Sequence, residues 1–311
     1  MLTDAEIKKQ IGNTLKETEL PFKKYAGKVR DNYDLNGKRL IVTTDRISAF
    51  DVVLDTIPFK GQVLNQISAF WFENLGVKNH LLEVPDPNAM IVKKCNPIPI
   101  EVVIRAYLTG SAWRDYEKGN PVSGINLPSG MRRNDKLKEP ILTPSTKAET
   151  GHDMGISGEE IVEKGIVDRK DFEKIKKSAM EIFKKGSHFA EKKGLLLVDT
   201  KYEFGFLDNE LILIDEVHTP DSSRFWTKES YILNQQRPHM LDKEFVREWL
   251  ISRNFMGDGN PPIIPKEIKI GLAERYIQLY EMLTGQSFKT ETEMPIYERL
   301  KMNLRKKGYL P

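Results

Sequence analysis

Two apolar runs joined by a turn dipeptide, and broken by charges that a buried sheet does not tolerate unpartnered, constrain this chain more than any other feature. Leu195-Leu-Leu-Val-Asp-Thr-Lys-Tyr-Glu-Phe-Gly-Phe206 precedes Asp208-Asn209, and Leu211-Ile-Leu-Ile-Asp-Glu-Val217 follows. Runs this apolar predict a mostly buried β-hairpin, so Lys201, Glu203 and Asp215 need partners there. Taking Asp208-Asn209-Glu210 as a three-residue loop sets Glu203 opposite Asp215 on one face; a two-residue loop shifts the register by one and separates them. In the first register the two carboxylates stand roughly 5 Å apart at Cβ and repel unless a cation lies between them. Mg²⁺ suits that place, completing its octahedron with water and nucleotide phosphate oxygens. Lys201 shares the face of Glu203 and is placed for a phosphate or a substrate carboxylate. The alternative is a solvated acidic face balanced by Lys201.

A second hairpin is written earlier, where Asn36-Gly37 separates Lys28–Leu35 from Lys38–Asp45, the strongest short hairpin signal there is. Gly27 permits close backbone approach. Behind it Lys28, Arg30 and Asn32 alternate onto one side, with Val29, Tyr33 and Leu35 on the other. Such a strand covers nucleotide phosphates or is a plain solvated face. It matches neither a Walker A loop nor a G-x-G-x-x-G loop. Strands are predicted at Ala89–Cys95 and Ile100–Leu108, and a helix at Leu64–Leu75. At the N-terminus Thr3-x-x-Glu6 reads as a capping box opening an amphipathic helix rather than a signal peptide.

The Gly, Pro and charge-rich segment from Gly119 to Gly158 is expected to be a long active-site loop. Ser157-Gly-Glu-Glu160 is a further capping box. Asp171–Lys193 is a helix with Phe172, Ile175, Ala179, Ile182 and Phe183 on one face, closed by Gly194. Helices are also expected at Asp242–Arg253 and Lys266–Leu283. The expected division is a sheet-rich lobe over 1–97, a second lobe over 98–240 and a helical segment over 241–311.

Bulk chemistry narrows the classes. With 48 basic against 45 acidic residues the surface is balanced, which argues against nucleic acid as the main partner. One cysteine, Cys95, excludes an internal disulfide and fits a reducing, cytoplasmic setting; flanked by apolar residues it reads as a buried thiol rather than a nucleophile. No apolar run approaches the roughly 18 residues of a membrane span. The five histidines show no metal-ligand spacing. In Thr219-Pro-Asp-Ser-Ser-Arg-Phe-Trp226, Arg224 and Ser222 suit a phosphate and Asp221 suits ribose hydroxyls, unless the segment is a plain turn. Arg105, in an apolar strand before Thr109-Gly110-Ser111, is functional or ion-paired rather than free. Lys147, Glu149, His152 and Asp153 cluster in the long loop, where His152 is either a general base or an ordinary loop histidine.

Pro99-Ile-Glu-Val-Val-Ile-Arg-Ala-Tyr-Leu-Thr-Gly-Ser111 and Leu197-Val-Asp-Thr-Lys-Tyr-Glu-Phe-Gly205 resemble the two signatures of the SAICAR synthetase family. Gly27–Asp31, Thr44–Asp51, Thr143–Glu149 and Asp215–Arg224 are similar to further family blocks, and the helical tail resembles the family's longer form. Gly151 before His152 is a departure, in a loop one residue shorter. The resemblance implies an α+β fold of two lobes, with a kinase-like N-terminal antiparallel sheet, an ATP-grasp-like second lobe and C-terminal helices. It implies ligation of 5-amino-1-(5-phosphoribosyl)imidazole-4-carboxylate (CAIR) to L-aspartate, with ATP and Mg²⁺. By position it places Gly27, Lys28, Val29 and Arg30 on the phosphates of ATP, with Lys93 and Cys95 near the adenine. Glu203 and Asp215 hold the metal. Arg105, Ser111, Asp221, Ser222 and Arg224 hold the ribotide, with Lys201 near its carboxylate. Ser48, Asp51, Lys147, His152 and Asp153 are candidates for aspartate or loop closure. The expected assembly is a monomer or small homo-oligomer. A kinase is the first rival, but it needs His-Arg-Asp and Asp-Phe-Gly segments that are absent; a nucleotide- or RNA-binding module is the second.

Overall fold

The computed structural model of the chain describes residues 2–147 and 155–311. Helix α1 (Asp4–Lys9) opens with the expected reciprocal capping between Thr3 and Glu6. Strands β1 (Lys24–Ala26), β2 (Arg30–Leu35) and β3 (Lys38–Thr43) follow. Asn36 and Gly37 take φ of 47° and 88°, the paired left-handed geometry of a type I′ turn, and Leu35 faces Lys38. β4 (Arg46–Ala49) and β5 (Val52–Thr56) form a small hairpin, α2 (Lys60–Asn74) crosses behind, and β6 (Leu81–Asp86) and β7 (Ala89–Lys93) complete a five-stranded sheet of order β1-β2-β3-β7-β6. Alternation buries both faces. Ile41, Met90 and Val92 enter the main core around α2, while Tyr33, Leu40, Val42 and Ile91 form a second core with Ile296, Leu300 and Leu304.

The second sheet is built from β8 (Asn96–Pro97), β9 (Ile100–Tyr107), β10 (Lys136–Thr146), β11 (Leu195–Leu207), β12 (Glu210–Ile214) and β13 (Ser223–Thr227). Its spine is the 13-residue β11, which pairs with β9, β12, β13 and β8. The short α3 (Gly110–Glu117) follows β9. After the second capping box, Ser157 with Glu160, come α4 (Gly158–Glu163) and α5 (Arg169–Lys192). The amphipathic α5 lays Phe172, Ile175, Ala179, Ile182 and Phe183 into the core against β11. α6 (Lys228–Leu233), α7 (Glu244–Ser252), α8 (Lys266–Thr284) and α9 (Ile296–Lys306) complete the chain. Pro265 opens α8 and Gly285, at φ 71°, closes it.

Two expectations are corrected. The segment from Gly119 to Gly158 is not a loop throughout, because 11 of its residues form β10 against β9. The 208–209 turn is two residues long: Asp208 and Asn209 both take left-handed φ, 50° and 62°, so Leu207 pairs with Glu210 and Glu203 faces Ile214 rather than Asp215. Aspartate and asparagine tolerate that conformation, and two such residues in succession close the tighter turn.

Candidate active site

The register shift does not part the acidic pair. β12 ends at Ile214, and Asp215, at φ 66°, turns the chain so that its carboxylate comes back toward β11. Lys201 Nζ stands 2.6 Å from Glu203 Oε1, 2.8 Å from Glu101 Oε1 and 3.9 Å from Asp215 Oδ2. Burial pulls the pKa of Lys201 down, but Glu203, Asp215 and Glu101 outweigh it and hold it well above the ordinary lysine value. Arg30 forks across the neighbouring pair, 2.6 Å from Asp215 Oδ1 and 2.7 Å from Glu216 Oε1. Lys147 takes the second oxygen of Glu203 at 2.5 Å. Four carboxylates and three cations thus meet where β2 and β11 face each other, an arrangement ready to exchange side-chain cations for others.

Gly27, Lys28, Val29, Arg30 and Asn32 lie over this centre on one wall of a cavity of about 740 Å³. Arg46 fixes that glycine-led backbone by donating to the carbonyls of Gly27 and Lys28 and to Asp31. Lys28 pairs with Asp51, which sits with Phe50 at the left-handed tip of the β4–β5 hairpin. Ser48, Asp51 and Lys147 also line the cavity.

At its other end two guanidinium groups share one carboxylate. Arg224 Nη1 and Arg105 Nη1 lie 2.6 Å and 3.1 Å from Asp199 Oδ2. Arg105 also donates to Thr143 and Ser111, and Arg224 to Glu244. Arg224 Nε is buried without a partner among the described residues. Gly110 is required here: a Cβ on it would stand 2.4 Å from Arg224 Nη2, and its φ is 58°. Fixed guanidinium forks beside Ser111, in the first turn of α3, suit a phosphate monoester. Asp221 and Ser222 line the wall between this end and the acidic centre.

The cavity therefore gathers most of the residues singled out in the sequence. Lys93 and Cys95 are not among those lining it; Cys95 sits against Gly205 of β11, and burial raises its thiol pKa. Glu149, His152 and Asp153 lie outside the described residues. Three cations were missed: Arg114 of α3, and Lys243 and Arg247, which line the cavity one turn apart at the start of α7. For Lys243 and Arg247 a signal was present, an i, i+4 pair of cations at the start of the expected Asp242–Arg253 helix. Burial, with Arg247 and Lys60 nearby, brings Lys243 down to about 8 despite Asp221. Burial also pushes the neighbouring Asp242 up to about 7, although Phe225 and Glu244 donate backbone N–H groups to it.

One cavity with cationic side chains at both ends and carboxylates between has the chemistry of an enzyme acting on anionic small molecules. The chain belongs to the SAICAR synthetase family, whose model matches residues 23–261. A phosphoribosylaminoimidazole-succinocarboxamide synthase of Legionella pneumophila (strain Paris) is 47% identical over 309 residues, covering 94% of this chain and 98% of its own. That of Cytophaga hutchinsonii is 48% identical over 307 residues, covering 94% and 99%. Among solved structures, SAICAR synthase from Saccharomyces cerevisiae complexed with SAICAR superposes with a TM-score of 0.78 at 36% identity, covering 89% of this chain and all of that one. A SAICAR synthetase in complex with ADP gives 0.68 at 27% identity, covering 86% and 100%. Among the described residues no helix is long and apolar enough to cross a membrane.

Proposed function

We propose that this chain is an ATP-dependent carboxylate–amine ligase joining CAIR to L-aspartate, with release of SAICAR, ADP and phosphate, in de novo purine biosynthesis. The observation that carries the reading is one continuous cavity with a cationic strand at one end, a carboxylate–lysine centre in the middle and paired arginines at the other. ATP phosphates lie under Gly27, Lys28, Val29 and Arg30. The ribotide phosphate lies on Arg105, Ser111 and Arg224 with Lys243 and Arg247, its ribose at Asp221 and Ser222, and its carboxylate at Lys201. The SAICAR and ADP named in two solved relatives support these occupants.

A carboxylate is a poor electrophile. Its oxygen attacks the γ-phosphorus and displaces ADP; the aspartate amine then adds to the acyl carbon, loses a proton and expels phosphate. Arg30 and Lys201 neutralise charge spreading over the transferred group, the main task in phosphoryl transfer. Glu203 and Asp215 fit Mg²⁺: hard oxygen donors, two in number, suit an ion that takes the rest of its shell from water and nucleotide. An ion held there would supply positive charge to screen the phosphates. Ser48, Asp51 and Lys147 are placed for the amino acid. On this reading residues 1–97 cover the nucleotide, 98–240 carry the catalytic sheet, and 241–311 pack on the body of a cytoplasmic monomer or small homo-oligomer.

The test is isotopic. With oxygen-18 in the CAIR carboxylate, the released phosphate carries one labelled oxygen per turnover. Unlabelled phosphate overturns the acyl phosphate.

A further inference from the structure

Asp221 reaches the cavity from a loop, yet its carboxylate is held from behind. Lys60 Nζ, in the first turn of α2, donates to Oδ2 at 2.8 Å, and the Tyr276 hydroxyl, from α8, donates to Oδ1 at 2.7 Å. The Lys60 side chain is 0% exposed and that of Asp221 5%; Tyr276 is 0% exposed. Neither Lys60 nor Tyr276 lines the cavity, whereas Asp221 does. Among the described residues Lys60 forms no other ion pair. Replacing a buried ion pair by apolar side chains of similar volume is often neutral or stabilising, so stability alone does not account for this one. Each carboxylate oxygen offers two acceptor directions, and the two donors behind use one apiece.

We propose that Lys60 and Tyr276 are positioning residues that lock Asp221 in one orientation, leaving two acceptor directions for the vicinal hydroxyls of the ribotide's ribose. The inference rests on the ribotide reading of the cavity. It gives α8, a C-terminal helix remote from the reacting atoms, a part in selecting ribose over deoxyribose. A free carboxylate on a surface loop samples several rotamers. One gripped at both oxygens from two helices keeps the orientation a vicinal diol requires.

The experiment compares CAIR with its 2′-deoxyribose counterpart on full-length wild type and Tyr276→Phe, which keeps the ring and loses one donor. With Asp221 no longer held at both oxygens, the variant's KM for CAIR is expected to rise about tenfold. KM for ATP stays within about twofold, and the preference for CAIR over the deoxy compound shrinks, by less than the factor that KM for CAIR gains because the deoxy compound keeps its 3′ hydroxyl on Asp221. Lys60→Met behaves alike where it folds by circular dichroism; where it does not, Tyr276→Phe carries the test. A lower melting temperature with unchanged preference means that the contact is structural and overturns the proposal. A wild-type chain that turns over no CAIR overturns the function beneath it, a separate and recognisable failure.

Discussion

Asp215 and His218 both stand in the left-handed region, at φ 66° and 48°, within four residues that link the acidic centre to the loop carrying Asp221. Non-glycine residues stay there only where surroundings over-determine them. Arg30 grips Asp215 and Glu216, Ser68 accepts the Val217 N–H, and the buried His218 ring bonds the Tyr202 hydroxyl at 2.6 Å and packs edge-on against Trp71. Burial lowers His218 to about 3, so it works as a neutral ring. Asp215→Asn keeps the size and loses the charge; kcat is expected to fall about 10²–10³-fold with the melting temperature nearly unchanged, and near-normal turnover contradicts the role given to Asp215. Lys243 gives a pH prediction. Its ammonium, with a pKa of about 8, is present below that pH and lost above it, so KM for CAIR climbs as pH rises from 7 to 9.5. Lys243→Arg moves that climb beyond the range, since arginine stays protonated. A wild-type KM flat across the range contradicts the contact.

At the scale of elements, legibility followed local chemistry. Asn36-Gly37, the capping residues Thr3 and Ser157, and the apolar stripe of α5 announce themselves through contacts within a few residues. β10 did not, because Pro140 and Pro144 read as breakers; they are tolerated since β10 is the edge strand of its sheet, where missing N–H donors face outward. The β11–β12 register was misread by one residue, yet Glu203 and Asp215 still meet at Lys201 because Asp215 bends the chain back. Lys60 with Asp221 and Tyr276 had no sequence signal at all, the three coming from distant elements. One element test follows from α5. Gly186 is helical, but a Cβ on it would lie 2.2 Å from His218 Cε1. Gly186→Ala gains about 1 kcal/mol of helix propensity against up to about 3 kcal/mol of overpacking on a rigid ring, so the urea midpoint drops. A raised midpoint shows that the loop yields.

Across the whole molecule, the last helix returns to the first sheet. Arg299 of α9, 2% exposed, bonds Asp86 at 3.2 Å through both Nε and Nη2 and reaches Asn88 at 2.6 Å. Removing one partner strands a buried charge, so Arg299→Met costs about 3–5 kcal/mol in equilibrium unfolding; a loss under about 1 kcal/mol contradicts the tie. Thus α9 fastens the β6–β7 end of the sheet whose strand β2 carries Arg30, while α8 steadies the loop that carries Asp221, and both sheet and loop line one cavity. The direct test of that arrangement is ADP release measured with each substrate omitted in turn. Turnover that needs ATP, CAIR and L-aspartate together is the predicted result; ADP released at full rate without aspartate contradicts a ligase and returns the chain to the kinases.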